Sequence, residues 1–186
     1  MTIDEQAAAE PGGAPRMPVV LAEEAVLPYR AHAHDAGFDL ISSEELVIPA
    51  LGRALVGTGV SLALPEGTVG LVCPRSGLAV RHGVTVLNGP GVVDAGYRGE
   101  VRVPLVNLDG EQDFAVHRGD RIAQLVVVPF VAPRLEVVAD LEESERADRG
   151  FGSSGGLQAA EDPGVSVTVI STEGAAATAA GADGKE

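Results

Sequence analysis

The chain of 186 residues is poor in the residue types that many small folds depend on. It has one cysteine, no tryptophan and only six aromatic residues, four Phe and two Tyr. A single cysteine excludes a disulfide framework, and no Cys/His cluster has the spacing of a zinc site. The core must therefore be built from Val, Leu and Ala, which supply most of the 45% hydrophobic content.

Basic charge and long apolar runs are also scarce. The formal net charge is -14, which argues against a nucleic-acid partner because binding to a phosphate backbone needs a basic surface. The longest apolar stretch, Leu125 to Ala132, is too short to span a bilayer. The first residues lack the basic and then apolar pattern of a signal peptide. We therefore expect a soluble, cytoplasmic protein with no membrane partner.

Composition divides the chain into a folded centre and two tails. Residues 1–17 and 157–186 are dominated by small residues and acids, and they cannot bury enough apolar area to offset the entropy of ordering. We expect a flexible segment over 1–17, a β domain over 18–141, a mobile Gly-rich arm over 142–156 and a disordered tail over 157–186.

The centre shows the period-two pattern that is typical of β-strands. Alternating apolar residues over 56–64 predict one strand, and further strands are predicted over 68–73, 100–107 and 121–130, with a short helix over 76–82. Many short strands with Gly and Pro turns indicate an all-β sandwich or barrel. The run Leu125 to Val128 is apolar on both faces, which predicts a sandwich interior or a subunit interface.

Five short clusters are richer in Gly, Arg and polar residues than strands and turns require. In order they are Asp35 to Leu40, Pro74 to Ala79, Asn88 to Glu100, Arg118 to Leu125 and Arg146 to Gly156. Considered alone, each cluster is also compatible with an ordinary turn, a loop, a solvent-exposed strand face or a linker. The third cluster, with four Gly and one Pro between two strands, predicts a tight β-hairpin that offers backbone groups to a flat polar ligand.

Taken together and in this order, the clusters DAGFDL, PRSGLA, GVVDAGYRGE, GDRIAQL and GFGSSGG resemble the five motifs of the trimeric deoxyuridine triphosphate nucleotidohydrolases (dUTPases). The resemblance covers residues 18–156. It implies a jelly-roll-like β-sandwich that assembles as a homotrimer, with active sites between subunits and a C-terminal arm that closes over each. It also implies Mg²⁺-dependent attack of water on the α-phosphate of dUTP, which gives dUMP and pyrophosphate, limits uracil incorporation into DNA and supplies dUMP for thymidylate synthesis.

The resemblance assigns roles to individual residues. Asp94 matches the carboxylate that activates the attacking water, and a carboxylate that is ionised at neutral pH can accept its proton. Asp39 matches a carboxylate that reaches Mg²⁺ through water, while the triphosphate holds most of the metal's coordination sites. The implied substrate-binding positions are Arg75, Ser76, Gly77, Asn88, Val92, Val93, Asp94, Tyr97, Arg102, Gln124, Arg146, Phe151, Gly152, Ser153 and Ser154.

The same resemblance divides the substrate among these positions. Asn88 and the backbone around Val92 and Val93 match the uracil-reading positions, where cytosine would leave buried polar groups unpaired. Tyr97 matches the ring that packs on the deoxyribose and blocks a 2′-hydroxyl. Phe151 matches the ring of the arm that stacks on uracil.

The fifth cluster departs from the family pattern, which reads Arg-Gly-x-Gly-Gly-Phe-Gly-Ser. Spacing from Phe151 makes Arg146 the γ-phosphate arginine, with Ala147 and Arg149 in place of two Gly. The pair Arg149-Gly150 offers a second alignment that needs a three-residue deletion. We prefer Arg146, since it preserves the reach of the arm.

Two other functions compete with this interpretation. A dCTP deaminase, or a bifunctional deaminase–nucleotidohydrolase of the same superfamily, would need an acid–base glutamate beside the nucleobase, and Glu100 lies six residues after Asp94. A catalytically silent trimeric scaffold would bind nucleotide without turnover.

Overall fold

The computed structural model describes residues 15–140 and residue 142, together with the backbone of two short strands near the C-terminus. The described part is almost entirely β-structure with one short helix. In chain order its elements are β1 (Val19–Leu21), β2 (Gly37–Ile41), β3 (Leu46–Ile48), β4 (Arg53–Leu62), β5 (Thr68–Cys73), α1 (Ser76–His82), β6 (Val84–Val86), β7 (Gly91–Val93), β8 (Glu100–Asn107), β9 (Phe114–Val116), β10 (Arg121–Pro129), β11 (Val169–Ile170) and β12 (Ala176–Ala177).

Two four-stranded antiparallel sheets make up the body of the fold. One sheet has the order β1-β4-β8-β6 and the other has the order β2-β10-β5-β7, while β3 and β9 form a separate antiparallel pair. Buried aliphatic side chains of both four-stranded sheets belong to one hydrophobic cluster. The predicted jelly-roll-like β-sandwich with an aliphatic core is therefore confirmed.

Alternation along the strands explains which residues form this core. Val101, Val103 and Leu105 of β8 are buried, because successive side chains of a strand point to opposite faces. The strands predicted over 68–73 and 100–107 and the helix over 76–82 have the bounds that the sequence pattern indicates. In the run that is apolar on both faces, Leu125 is fully buried, whereas the three valines after it are only half-buried.

The prediction that residues 88–100 form a β-hairpin is wrong, because the strands at its two ends do not pair with each other. Strand β7 pairs with β5, with Leu71 opposite Val92, whereas β8 lies in the other sheet between β4 and β6. The chain therefore crosses from one sheet to the other between Val93 and Glu100. A turn in which the Tyr97 N–H donates to the Asp94 carbonyl at 3.0 Å begins this crossover.

Chain contacts divide the protein into two units, and residues from 133 onward belong to the second. Within that unit β11 and β12 pair in antiparallel fashion. Most of the predicted flexible segment, arm and tail lies outside the described residues, so those three predictions stay open. No helix in the described part of the chain has the length and apolar character that crossing a membrane requires.

Candidate active site

A pocket of about 200 Å³ lies beside the crossover between β7 and β8. The predicted site residues that line it are Asn88, Val92, Val93, Asp94, Tyr97 and Arg102. The aliphatic wall comes from Val72 and Val101, one from each four-stranded sheet, so the pocket lies at an edge where the two sheets meet.

The crossover places an acid and an aromatic ring at the pocket. Asp94 directly follows β7 and is exposed, and no hydrogen bond or ion pair among residues 15–140 engages its carboxylate. The Tyr97 hydroxyl donates to the carbonyl of Glu100 at 2.9 Å, which fixes the ring against the loop. A Cβ on Gly99 would lie 2.6 Å from the Tyr97 Oη, so only glycine leaves room for the ring here.

Strand β7 offers free backbone groups to this pocket. It is the last strand of its sheet and pairs on one side only, with β5. An edge strand presents unpaired N–H and C=O groups along its outer side. A Cβ on Gly91 would approach the Asn88 Nδ2 to 3.2 Å, which shows that the Asn88 amide packs against the start of β7. Backbone and amide together can bond a flat polar ring.

A group of charged side chains around Arg102 borders the same pocket. The Arg102 Nη2 donates to the Glu44 Oε1 at 3.0 Å, and its Nε lies 3.9 Å from the Glu100 Oε2. The backbone N–H of Gly59 donates to the other oxygen of Glu100 at 2.8 Å. Sequence reasoning did not find Glu44, because it lies between β2 and β3 and only the folded sheet brings it to β8.

A second cluster forms around the carboxylate of Asp39, which is only 3% exposed. The Arg75 Nε lies 3.3 Å from Oδ1 and the Arg121 Nη1 lies 3.2 Å from Oδ2. The Gln124 amide donates to Oδ1 at 3.4 Å. Strand register brings these residues together, since Gln124 of β10 lies opposite Asp39 on one side and Cys73 on the other. The first, second and fourth sequence clusters therefore meet here.

The two groups of predicted site residues line different pockets. Arg75 and Arg121 border a polar pocket that also includes Tyr29 and His82, whereas Asp94 borders the pocket at the crossover. Ser76 begins α1 and is exposed, with Gly77 next to it. The remaining predicted residues lie outside the described part of the chain, namely Arg146, Phe151, Gly152, Ser153 and Ser154.

The described residues do not form a metal-binding site by themselves. Among them no group of three or more His, Cys, Asp or Glu side chains could hold a metal ion. Both oxygens of Asp39 already face guanidinium groups, so this carboxylate does not fit a direct metal ligand. Within this part of the chain, a divalent cation would depend on a bound molecule and water for most of its ligands.

Comparison with known proteins identifies the family. The family model described as dUTPase matches residues 23–155. The chain belongs to the dUTPase family. A dUTPase relative from Bifidobacterium longum subsp. infantis, named deoxyuridine 5'-triphosphate nucleotidohydrolase, is 57% identical over 131 residues, covering 70% of this chain and 82% of the relative. One of the same name from Corynebacterium glutamicum is 51% identical over 137 residues, covering 74% and 92%.

Solved dUTPase structures share the fold. The dUTPase of Staphylococcus bacteriophage 80alpha, solved with dUPNHPP, has a TM-score of 0.71 and 32% sequence identity, and the match covers 76% of this chain and 99% of that one. A variant dUTPase from phage phi11 of S. aureus, described with a structural Mg(II) ion, has a TM-score of 0.65 and 29% identity, covering 69% and 100%.

Proposed function

We propose that this protein hydrolyses dUTP to dUMP and pyrophosphate. The observation that carries the proposal is the pocket at the crossover, where the exposed Asp94 stands beside the ring of Tyr97 and the free edge of β7. The carboxylate can act as an acid–base group, the ring can pack against a sugar, and the strand edge offers hydrogen-bond donors and acceptors to a nucleobase. Membership of the dUTPase family supplies the substrate, and relatives at 51% and 57% identity carry the name of this activity.

In the proposed reaction Asp94 acts as the general base. Its carboxylate accepts a proton from water while the water oxygen bonds to the α-phosphorus, and the α–β bridging oxygen leaves with pyrophosphate. The edge of β7 and the amide of Asn88 read the polar edge of uracil. The ring of Tyr97 packs against the sugar and excludes a 2′-hydroxyl, so that deoxyribose is selected over ribose.

Arg75, with Ser76 and Gly77, binds the phosphates in this proposal. Mg²⁺ bound to the triphosphate would neutralise part of its charge, in line with the preference of this ion for phosphate oxygens and water. The contacts of Asp39 indicate that its carboxylate holds the side chains of Arg75 and Arg121 in place. Its contact to Mg²⁺ through water stays a prediction, as do the parts of Arg146, Phe151 and the arm serines.

We also propose that the active unit is a homotrimer with sites shared between subunits. Within one chain Asp94 and Arg75 border different pockets, so one chain does not gather the base and the phosphate-binding arginine around one substrate. A neighbouring copy can supply the missing half, as the family resemblance implies. The half-buried valines that follow Leu125 provide apolar area for such a contact.

Mixing two inactive variants tests the shared site. Asp94→Asn and Arg75→Gln are each expected to lose most activity as pure proteins. If the chains are unfolded together in equal amounts and refolded, about a quarter of the shared sites would combine an intact Asp94 from one chain with an intact Arg75 from another. Light scattering gives the mass of the mixed particle. Activity that stays at the level of the pure variants in a mixed trimer would contradict the proposal.

Pyrophosphate release by the purified protein tests the activity itself. We expect turnover of dUTP far above that of dCTP, dTTP and UTP, with loss of activity when Mg²⁺ is chelated. Asp94→Asn should lose most turnover yet still bind dUTP. The control is Asp113→Asn, an exposed aspartate outside both pockets whose amide oxygen can still accept from the Ala50 N–H. Equal rates on all four nucleotides would refute a dUTPase.

A dCTP deaminase is the second candidate, because Glu100 lines the pocket. The Glu100 carboxylate accepts a hydrogen bond from the Gly59 N–H and lies 3.9 Å from the Arg102 Nε, so both of its oxygens already have partners within the protein. Release of ammonia from dCTP would support the deaminase. Nucleotide binding without any turnover would instead support a silent scaffold.

A further inference from the structure

Arg121 has no role in the site as derived so far, yet it contacts the buried carboxylate that also holds Arg75. Its Nη1 lies 3.2 Å from the Asp39 Oδ2, while the Arg75 Nε lies 3.3 Å from Oδ1. Its main-chain carbonyl accepts a hydrogen bond from the Arg75 Nη1 at 2.9 Å. Arg121 therefore meets Arg75 both directly and through Asp39.

We propose that Arg121 is a positioning residue that directs the guanidinium of Arg75 toward the phosphates of the substrate. The proposal rests on the proposed dUTP hydrolysis, in which Arg75 binds those phosphates. In this arrangement the side chain of Arg121 pairs with the Asp39 Oδ2, so that Arg75 can pair only with Oδ1.

An irregularity in β10 brings Arg121 to this position. In a regular strand, residues three apart point to opposite faces, so Arg121 and Gln124 would not both reach Asp39. The pairing of β10 with β2 shifts register between Arg121 and Ala123. Such a bulge adds one residue to one strand and redirects the side chain beside it. Arg121 and Gln124 then contact the same carboxylate from one side of the sheet.

The geometry leaves one edge of the Arg75 guanidinium available for an anion. Its Nε faces Asp39 and its Nη1 donates to the Arg121 carbonyl, while no hydrogen bond within residues 15–140 engages its Nη2. Guanidinium groups bind phosphates best through two parallel N–H donors. Since two guanidinium groups share one carboxylate here, the cluster also keeps a net positive charge that favours an anion.

Loss of the Arg121 side chain would change the orientation of Arg75. Asp39 Oδ2 would be left without its partner, and a nearly buried carboxylate oxygen is costly to leave unpaired. Arg75 is the nearest cation and can pair with both oxygens in the bidentate geometry that carboxylates favour. That rotation would turn its free edge away from the substrate.

Two substitutions and a matched control test this proposal. Arg121→Gln removes the charge, and Arg121→Lys keeps it without the planar group. Both leave the main-chain carbonyl in place. The control is Arg118→Gln, three residues earlier in the chain, which breaks only an exposed ion pair with Glu24. For each protein, KM and kcat for dUTP are measured, together with inhibition by inorganic pyrophosphate and by deoxyuridine.

We expect Arg121→Gln to raise KM for dUTP about tenfold and to weaken inhibition by pyrophosphate to a similar extent, as loss of one charge-assisted contact implies. Inhibition by deoxyuridine, which has no phosphate, should stay unchanged, and kcat should change about twofold or less because Asp94 is untouched. Arg121→Lys should recover part of the loss, and Arg118→Gln should match the unmodified protein.

A KM for Arg121→Gln equal to that of Arg118→Gln would overturn the proposal. So would equal weakening of pyrophosphate and deoxyuridine inhibition, because that pattern indicates general damage to the fold. If Arg121→Gln does not fold, Arg121→Lys decides: a raised KM with unchanged deoxyuridine inhibition supports positioning, and an unchanged KM refutes it. Failure of the unmodified protein to hydrolyse dUTP would instead refute the proposed function. Direct binding of pyrophosphate, measured by calorimetry, then decides the positioning role, because Arg121→Gln should weaken this binding about tenfold relative to Arg118→Gln and equal binding would overturn it.

Discussion

The space around Tyr97 allows a sharp test of how the site recognises its sugar. We predict that Gly99→Ala weakens the preference for dUTP over UTP. A Cβ on Gly99 would lie 2.6 Å from the Tyr97 Oη and 2.8 Å from its Cζ, distances that real Cβ contacts do not reach. Either the ring or the loop must therefore move.

The ring of Tyr97 can move more easily than the loop. Tyr97 is 46% exposed, so it can rotate toward solvent without opening the core. The movement breaks the hydrogen bond from its hydroxyl to the carbonyl of Glu100. Loss of such a bond costs about 1 kcal/mol, which is about fivefold in an equilibrium. Melting temperature should fall by only a few degrees, while the ring no longer stands where the 2′-hydroxyl would enter.

The assay compares kcat/KM for dUTP and UTP. We expect the ratio between them to fall about fivefold or more in Gly99→Ala. The control is Gly96→Ala in the same loop, where an added Cβ meets nothing within 4 Å. Tyr97→Phe removes the hydroxyl but keeps the ring, and it should fall between the two. Identical dUTP/UTP ratios for Gly99→Ala and Gly96→Ala would refute the role of Tyr97 as a steric barrier.

Three further predictions concern stability, pH dependence and the arm. Thr58→Val should lower the free energy of unfolding by about 1–3 kcal/mol in urea, because the buried Thr58 Oγ1 donates to the Val101 carbonyl; a loss no larger than in Thr85→Val would contradict it. Backbone N–H groups of Glu111 and Gln112 lower the pKa of Asp109, so its stabilising contribution is present at neutral pH and is lost as the pH falls through that lowered pKa. The melting temperatures of the unmodified protein and Asp109→Asn should differ at pH 7 and converge below about pH 4, and a constant gap would argue against this linkage. Arg146→Ala should reduce kcat/KM for dUTP more than Arg149→Ala, and the reverse order would favour the other alignment.

Local pattern predicted much of the fold because alternation decides burial strand by strand. Val101, Val103 and Leu105 show a period of two in the sequence and are buried in the structure. The same pattern carries no information about which sheet a strand joins. Gly91–Val93 and Glu100–Asn107 are close enough in the chain to suggest a hairpin, yet they pair with β5 and with β4 and β6 respectively.

The candidate site was predictable where a cluster is continuous in the chain and not where the fold joins distant segments. Asn88, Asp94 and Tyr97 come from one stretch, and the structure places them at one pocket. Arg121 was missed because its contact to Asp39 depends on a bulge, which reverses the face that period two would give it. Motif order could not reveal that irregularity.

Within one chain the proposed base and the phosphate-binding arginine stand in different surroundings. Asp94 borders the pocket beside the crossover, whereas Arg75 borders the pocket that also includes Arg121. Contacts from its Nε to the Asp39 Oδ1 and from its Nη1 to the Arg121 carbonyl hold Arg75 in that position. Because the proposed hydrolysis needs both groups at one triphosphate, we propose that a second copy of the chain supplies one of them. A site within one chain predicts no activity in any mixture of Asp94→Asn and Arg75→Gln, since every chain then lacks one group, whereas a shared site predicts that the mixture recovers activity.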